Sequence, residues 1–175
     1  MEPSFNTQHS TPNIPYKGIY IHIPFCKQKC HYCNFHFSTS RRLQPQMVEA
    51  LVRELELQKD YLEGANVGSI YLGGGTPSLL TSEELDRLFA TIHRLHSVDA
   101  GAEITLEANP DDITPNTLQF WKSIGINRLS VGIQSLHDID LQGMNLAHYS
   151  RQARQCLELN AASGIPQLTM DLIYG

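Results

Sequence analysis

No stretch of this sequence approaches the about 20 consecutive apolar residues that a membrane-spanning helix needs. Positive charge is also in short supply. Thirteen Lys and Arg stand against 18 Asp and Glu, and a net charge of −5 disfavours a general nucleic-acid or anionic-membrane surface. The N-terminus, MEPSFNTQHSTPNIP, has neither the basic start nor the apolar centre of a secretory signal. Residues 1–15 therefore read as a flexible tail, and the cytosol as the location. Cysteine is scarce, four in 175 residues, yet three of the four fall within eight positions. Crowding of that kind suits metal ligation better than a disulfide framework, which belongs to oxidising compartments.

What the sequence does have is alternation. Short β-like runs at Gly18–Ile23, Ser69–Leu72, Glu103–Ala108, Arg128–Ile133 and Gln167–Ile173 are separated by amphipathic segments. Met47, Val48, Leu51, Val52 and Leu55 share one face of a predicted helix over 44–59. Thr81 with Glu84 forms a capping box for the next helix, whose apolar face is Leu85, Leu88, Phe89, Ile92 and Leu95. Thr114-Pro115 opens a third helix that Gly125 ends, and Ser150 opens another that stops at Gly164. The stretch 136–148 is less clear and has room for a short helix. Strands alternating with helices predict an α/β fold with a parallel sheet.

The strands are two-faced. Ile104 and Leu106 oppose Glu103, Thr105 and Glu107; Leu129, Val131 and Ile133 oppose Ser130, Gly132 and Gln134; Leu168, Met170 and Leu172 oppose Thr169 and Asp171. A sheet covered by helices on both faces would show near-continuous apolar runs instead. The pattern predicts helices on the apolar face and a roomy polar interior on the other; a solvent-exposed face is the competing reading.

Directly after the first strand comes Cys26-Lys-Gln-Lys-Cys30-His-Tyr-Cys33. Three closely spaced thiolates on one loop suit three corners of a [4Fe–4S] cube, leaving the fourth iron open to a chelating substrate. A structural zinc ion, with His31 or His36 as fourth ligand, and incidental thiols are the competing readings. Zinc motifs more often use cysteine pairs set apart by a longer spacer. Cys156 reads as a buried small hydrophobe, Trp121 or Phe120 as core, and His93, His96 and His137 as surface residues. His31 and His36 read chiefly as solvation of the loop.

C-x3-C-x-aromatic-C behind a strand resembles the radical S-adenosylmethionine (radical SAM) superfamily. The stretch Tyr20-Ile-His-Ile-Pro-Phe-Cys26 through Cys33-Asn-Phe35 narrows the resemblance to the oxygen-independent coproporphyrinogen III oxidase-like family, which includes haem chaperones. The resemblance runs from about Gly18 to Gly175. It implies a partial (β/α) barrel of six parallel strands, of which five lie in residues 16–175, with the core truncated and a C-terminal domain absent from this sequence. It also implies a [4Fe–4S] cluster on Cys26, Cys30 and Cys33, and SAM contacts at Tyr20, Tyr32, Gly74, Gly75, Thr76, Glu107, Gln134 and Asp171.

One position departs from the family. Where it often has Arg, in L-x-x-x-x-R-x-H, this chain reads Leu141-Gln-Gly-Met-Asn-Leu146-Ala-His148. The arginine is expected to pair with the SAM carboxylate, and Leu146 cannot. Two functions compete on this scaffold. The oxidase decarboxylates coproporphyrinogen III; the chaperone carries haem to acceptor proteins. The oxidases carry a further cysteine two residues after the third, where this chain has Phe35, as the chaperone branch does. The expectation is a haem chaperone. Its partners would be haem or porphyrin as cargo, an acceptor protein, and an electron donor such as flavodoxin or ferredoxin, with no nucleic acid and no transmembrane segment.

Overall fold

The computed structural model describes residues 16–174; the tail expected over 1–15 lies outside the described residues. Five strands alternate with five α-helices: β1 Tyr16–Ile23, α1 Gln44–Leu57, β2 Asn66–Gly74, α2 Ser82–Leu95, β3 Val98–Ala108, α3 Pro115–Ser123, β4 Arg128–Gln134, α4 Asp138–Gly143, α5 Ser150–Ser163 and β5 Gln167–Leu172. Single 3-10 turns stand at Arg41–Leu43, Pro77–Leu79 and Pro110–Asp112. All strands are parallel and lie in chain order, so β1 and β5 are the two edges of an open sheet. Each parallel pairing demands a crossover, and the helices supply it. None of the helices among the described residues is long and apolar enough to cross a membrane.

The local signals act as the chemistry dictates. At the head of α2 the Glu84 N–H donates to Thr81 Oγ1 at 3.2 Å, and the Thr81 N–H donates to Glu84 Oε2 at 2.9 Å. Thr114 caps α3 through the Thr117 N–H, with Pro115 where no intrahelical N–H is required. Gly164, at φ 75°, ends α5 in the left-handed region. The unclear stretch after β4 contains α4.

The two faces of the sheet separate as their alternation predicts. Ile21, Ile23, Ile70, Leu72, Leu106, Leu129, Val131 and Ile133 are buried against Val48, Leu85, Leu88, Ile92, Trp121 and Cys156 from the helices. The inner face is polar and runs in register. Tyr20, Tyr71, Thr105 and Arg128 form one row across four strands, and Glu107, Ser130 and Thr169 align in the next. Arg128 ties the two rows together by bonding Thr105 in its own and, at 2.9 Å, Thr169 in the next.

Strand β5 is the exception on the apolar side. Leu168 packs on the core, but Met170 and Leu172 are 47% and 54% exposed, and Ile173 beyond the strand is 44% exposed. An exposed apolar edge is a template for pairing with another chain. We expect the 175-residue chain to self-associate in a concentration-dependent way, and Met170→Lys with Leu172→Lys to suppress this in sedimentation velocity. A monomer at all concentrations would contradict it.

Cys156 in α5 is buried, with its thiol pushed up to about 11 by burial. Alkylation of the folded, iron-free chain near neutral pH should modify Cys26, Cys30 and Cys33 and spare Cys156 until denaturant is added, as peptide mapping would show. Early modification of Cys156 would contradict its place in the core.

Candidate functional site

The three clustered cysteines occupy a loop pinched at its base. The Cys26 N–H donates to Ser38 O at 3.1 Å, and the Ser38 N–H donates to Pro24 O at 2.8 Å. The loop between them is polar and without apolar periodicity, so it makes no element of its own beyond a turn in which the Cys33 N–H meets Cys30 O. It lies at the C-terminal ends of the strands, the end at which open α/β sheets bind ligands. Cys26, Cys30 and Cys33 are half-buried. Burial pushes the Cys26 thiol up, against the pull of a hydrogen bond from Thr76. Burial also raises Cys30, opposed by a hydrogen bond from Tyr32; the Tyr32 hydroxyl is itself pushed well above its usual range by burial and by the thiolates beside it.

The glycine-rich turn after β2 is laced to this loop. The Gly75 N–H donates to Ile23 O and the Thr76 N–H to Phe25 O, both at 2.8 Å. A Cβ on residue 75 would stand 2.7 Å from Phe25 O and 2.9 Å from Ile23 O, so only glycine admits this approach. Thr76 is buried, facing Cys26 rather than open space.

On the inner face Glu107 is held at both oxygens. Tyr71 donates to Oε1 at 2.7 Å, and the Gly74 N–H donates to Oε2 at 3.0 Å. Burial, and then the Glu107 carboxylate, raise the Tyr71 hydroxyl to about 12, so it remains a donor throughout the working pH range. Gln134 ends β4 at φ 62°, a left-handed conformation that non-glycine residues seldom adopt. Its amide lies over Gly132, where a Cβ would meet Nε2 at 2.9 Å. Tyr20 bonds His22 Nδ1 at 3.0 Å.

A single cavity of about 380 Å³ is lined by all three cysteines and by all eight expected SAM-contacting residues: Tyr20, Tyr32, Gly74, Gly75, Thr76, Glu107, Gln134 and Asp171. Phe35, 75% exposed, stands on its rim. Leu146 also lines it, where the family arginine was expected. Lys27 is the one Lys or Arg among the described residues in its lining, and Asp111 and Asp112 both clamp it. It is therefore no free substitute for that arginine. Lys27 was not singled out from the sequence, because nothing in a charged loop residue announces partners 84 and 85 positions away. His22 and Ser130 also line the cavity, and the place of Ser130 on a polar strand face was legible. His148 is buried, with Nε2 3.1 Å from Ile133 O, and burial lowers its basicity. His31, expected to solvate the loop, is exposed and also places Nδ1 2.9 Å from Gly143 O.

Thiolates on one zinc ion stand about 3.8 Å apart, from 2.3 Å bonds at tetrahedral angles. Among the described residues no three His, Cys, Asp or Glu side chains form such a group. The three cysteines share one loop and line one cavity, an arrangement in which each thiolate could take its own corner of a cuboidal iron–sulfur cluster.

Residues 20–175 match the radical SAM superfamily. The haem chaperone HemW of Haemophilus influenzae is 35% identical over 170 residues, which cover 94% of this chain and 44% of that protein. HemW of Bacillus subtilis is 34% identical over 165 residues, 91% of this chain and 42% of its own. The solved structure of coproporphyrinogen III oxidase (HemN) from Escherichia coli, a radical SAM enzyme, superposes with a TM-score of 0.85 at 28% identity, over 92% of this chain and 38% of its own. The chain spans less than half the length of each of these proteins. Sequence and fold together make this chain a member of the radical SAM superfamily, in the coproporphyrinogen oxidase-like group to which the haem chaperones belong.

Proposed function

We propose that the chain holds a [4Fe–4S] cluster on Cys26, Cys30 and Cys33, binds SAM against the inner face of the sheet, and is the cofactor-binding core of a haem chaperone. Membership of the superfamily brings SAM and an iron–sulfur cluster. The observation that carries the finer reading is the shared cavity, with thiols on one wall and polar strand ends on the other. Three protein thiolates leave one iron of a cube free for the amino and carboxylate groups of SAM. When bound, the cluster supplies the electron that cleaves a carbon–sulfur bond of SAM.

The chain's own residues do the holding. Glycines 74 and 75 line the cavity, and their lack of a side chain lets the turn close against His22 and the end of β1. Glu107, fixed by Tyr71 and Gly74, presents a carboxylate whose remaining lone pairs accept from an ammonium or ribose hydroxyls. Gln134 and Asp171 extend that polar wall towards the β5 edge. Leu146 offers the SAM carboxylate no partner, which lowers affinity relative to an arginine there.

Phe35 supports the chaperone over the oxidase. It places an exposed aromatic ring on the cavity rim where the oxidases have a cysteine. The similarity to proteins named haem chaperones supports haem as cargo; an acceptor protein and an electron donor such as flavodoxin or ferredoxin would complete the reading.

Anaerobic reconstitution should give about four irons per chain. Cys26→Ala, Cys30→Ala and Cys33→Ala should each abolish uptake, and Cys156→Ala should leave it intact. SAM should shift the electron paramagnetic resonance spectrum of the reduced cluster. Glu107→Ala should weaken that response about 10-fold, the scale of a lost charge-assisted bond, and Leu146→Arg should strengthen it. Stoichiometric zinc with no reconstitutable cluster would overturn the assignment.

The full-length gene product should bind haem, followed by its Soret band. With SAM and reductant it should leave coproporphyrinogen III unchanged. Formation of protoporphyrinogen IX would assign the oxidase instead.

A further inference from the structure

Four hydrogen bonds join the cysteine loop to the end of α4. The His31 N–H donates to Met144 O at 3.0 Å, and its Nδ1 stands 2.9 Å from Gly143 O. Gln28 Nε2 donates to Asn145 O, and Asn145 Nδ2 donates to Lys29 O, each at 2.7 Å. Asn145 thus contributes with both its backbone and its side chain.

Asn145 also has φ 57°. Asparagine tolerates this left-handed conformation better than most residues, yet glycine adopts it at less cost, above all just past a helix end. A glycine would serve the turn and would still offer its carbonyl to Gln28. What it would lack is the amide that reaches the carbonyl beside Cys30. The next residue, Leu146, lines the cavity, and His148 fastens the same segment to β4 through Ile133 O. The segment is therefore anchored at one end by β4 and at the other by the cysteine loop.

We propose that Asn145 is a positioning residue: through Lys29 it sets Cys30 against the cavity and couples the cysteine loop to the wall that carries Leu146. This inference rests on the cluster assignment above. An ordered loop then also orders the wall facing SAM, and the helix α4, only six residues long, gains a support it lacks by itself.

The test compares the parent chain with Asn145→Gly and Asn145→Asp. Asn145→Gly relieves the backbone, so its denaturant midpoint should equal or exceed the parent's. Asn145→Asp keeps size and turn preference but removes the donor. In the iron-free chain both variants should alkylate at Cys30 about 2- to 10-fold faster, the range for loss of one hydrogen bond, with Cys156 still protected. After reconstitution, a chelator should strip iron faster from both by a similar factor, and SAM should perturb the resonance spectrum less. Parent-like alkylation and iron retention in either variant would overturn the proposal and leave Asn145 a turn residue only. Failure of the parent to load iron on its cysteines would refute the cluster assignment, while the alkylation comparison would still decide the role of Asn145.

Discussion

Two backbone hydrogen bonds, from Gly75 to Ile23 and from Thr76 to Phe25, hold the site together. They extend the β1–β2 pairing past the end of the sheet and bring the glycine-rich turn against the root of the cysteine loop. A side chain at residue 75 would collide with the very carbonyls that accept these bonds. From this contact follow the position of Cys26 beside Thr76 and that of Gly74 beside Glu107. The loop has little structure of its own, so its geometry is borrowed from three neighbours: the turn after β2, the Asp111–Asp112 pair that grips Lys27, and the end of α4.

The sheet divides its labour by face. The outer face buries branched aliphatics under four of the helices and supplies most of the apolar burial. The inner face is thereby free to carry Tyr71, Glu107, Arg128 and Asp171, groups that a two-sided hydrophobic sheet would exclude at high cost. Their polarity is managed locally. Glu107 has two donors, and Arg128 spans three strands.

Two apolar residues of the cavity, Phe35 and Leu146, stand in different places. Phe35 is an exposed ring at the cavity's edge. Leu146 lies within the lining itself, and Lys27 is committed to two carboxylates. Among the described residues the lining is consequently short of free positive charge.

Much was legible in the sequence because it rests on local chemistry. The α/β alternation, the capping box at Thr81, the N-cap at Thr114, the two-faced strands and the cysteine spacing each involve residues a few positions apart. Asp171, Gln134, Glu107 and Tyr20 were assigned to one site by resemblance, and their shared polar strand faces agreed with it. What the tertiary structure decided are contacts between residues distant in sequence. No local pattern shows that Lys27 is spent on Asp111 and Asp112, that Tyr71 holds Glu107, that His31 bonds Gly143, or that Asn145 reaches Lys29 across 116 positions. Spacing along a strand or helix is set by bond geometry and repeats from one protein to another. A meeting of two loops depends on how every intervening element packs, and that information exists only in the folded chain.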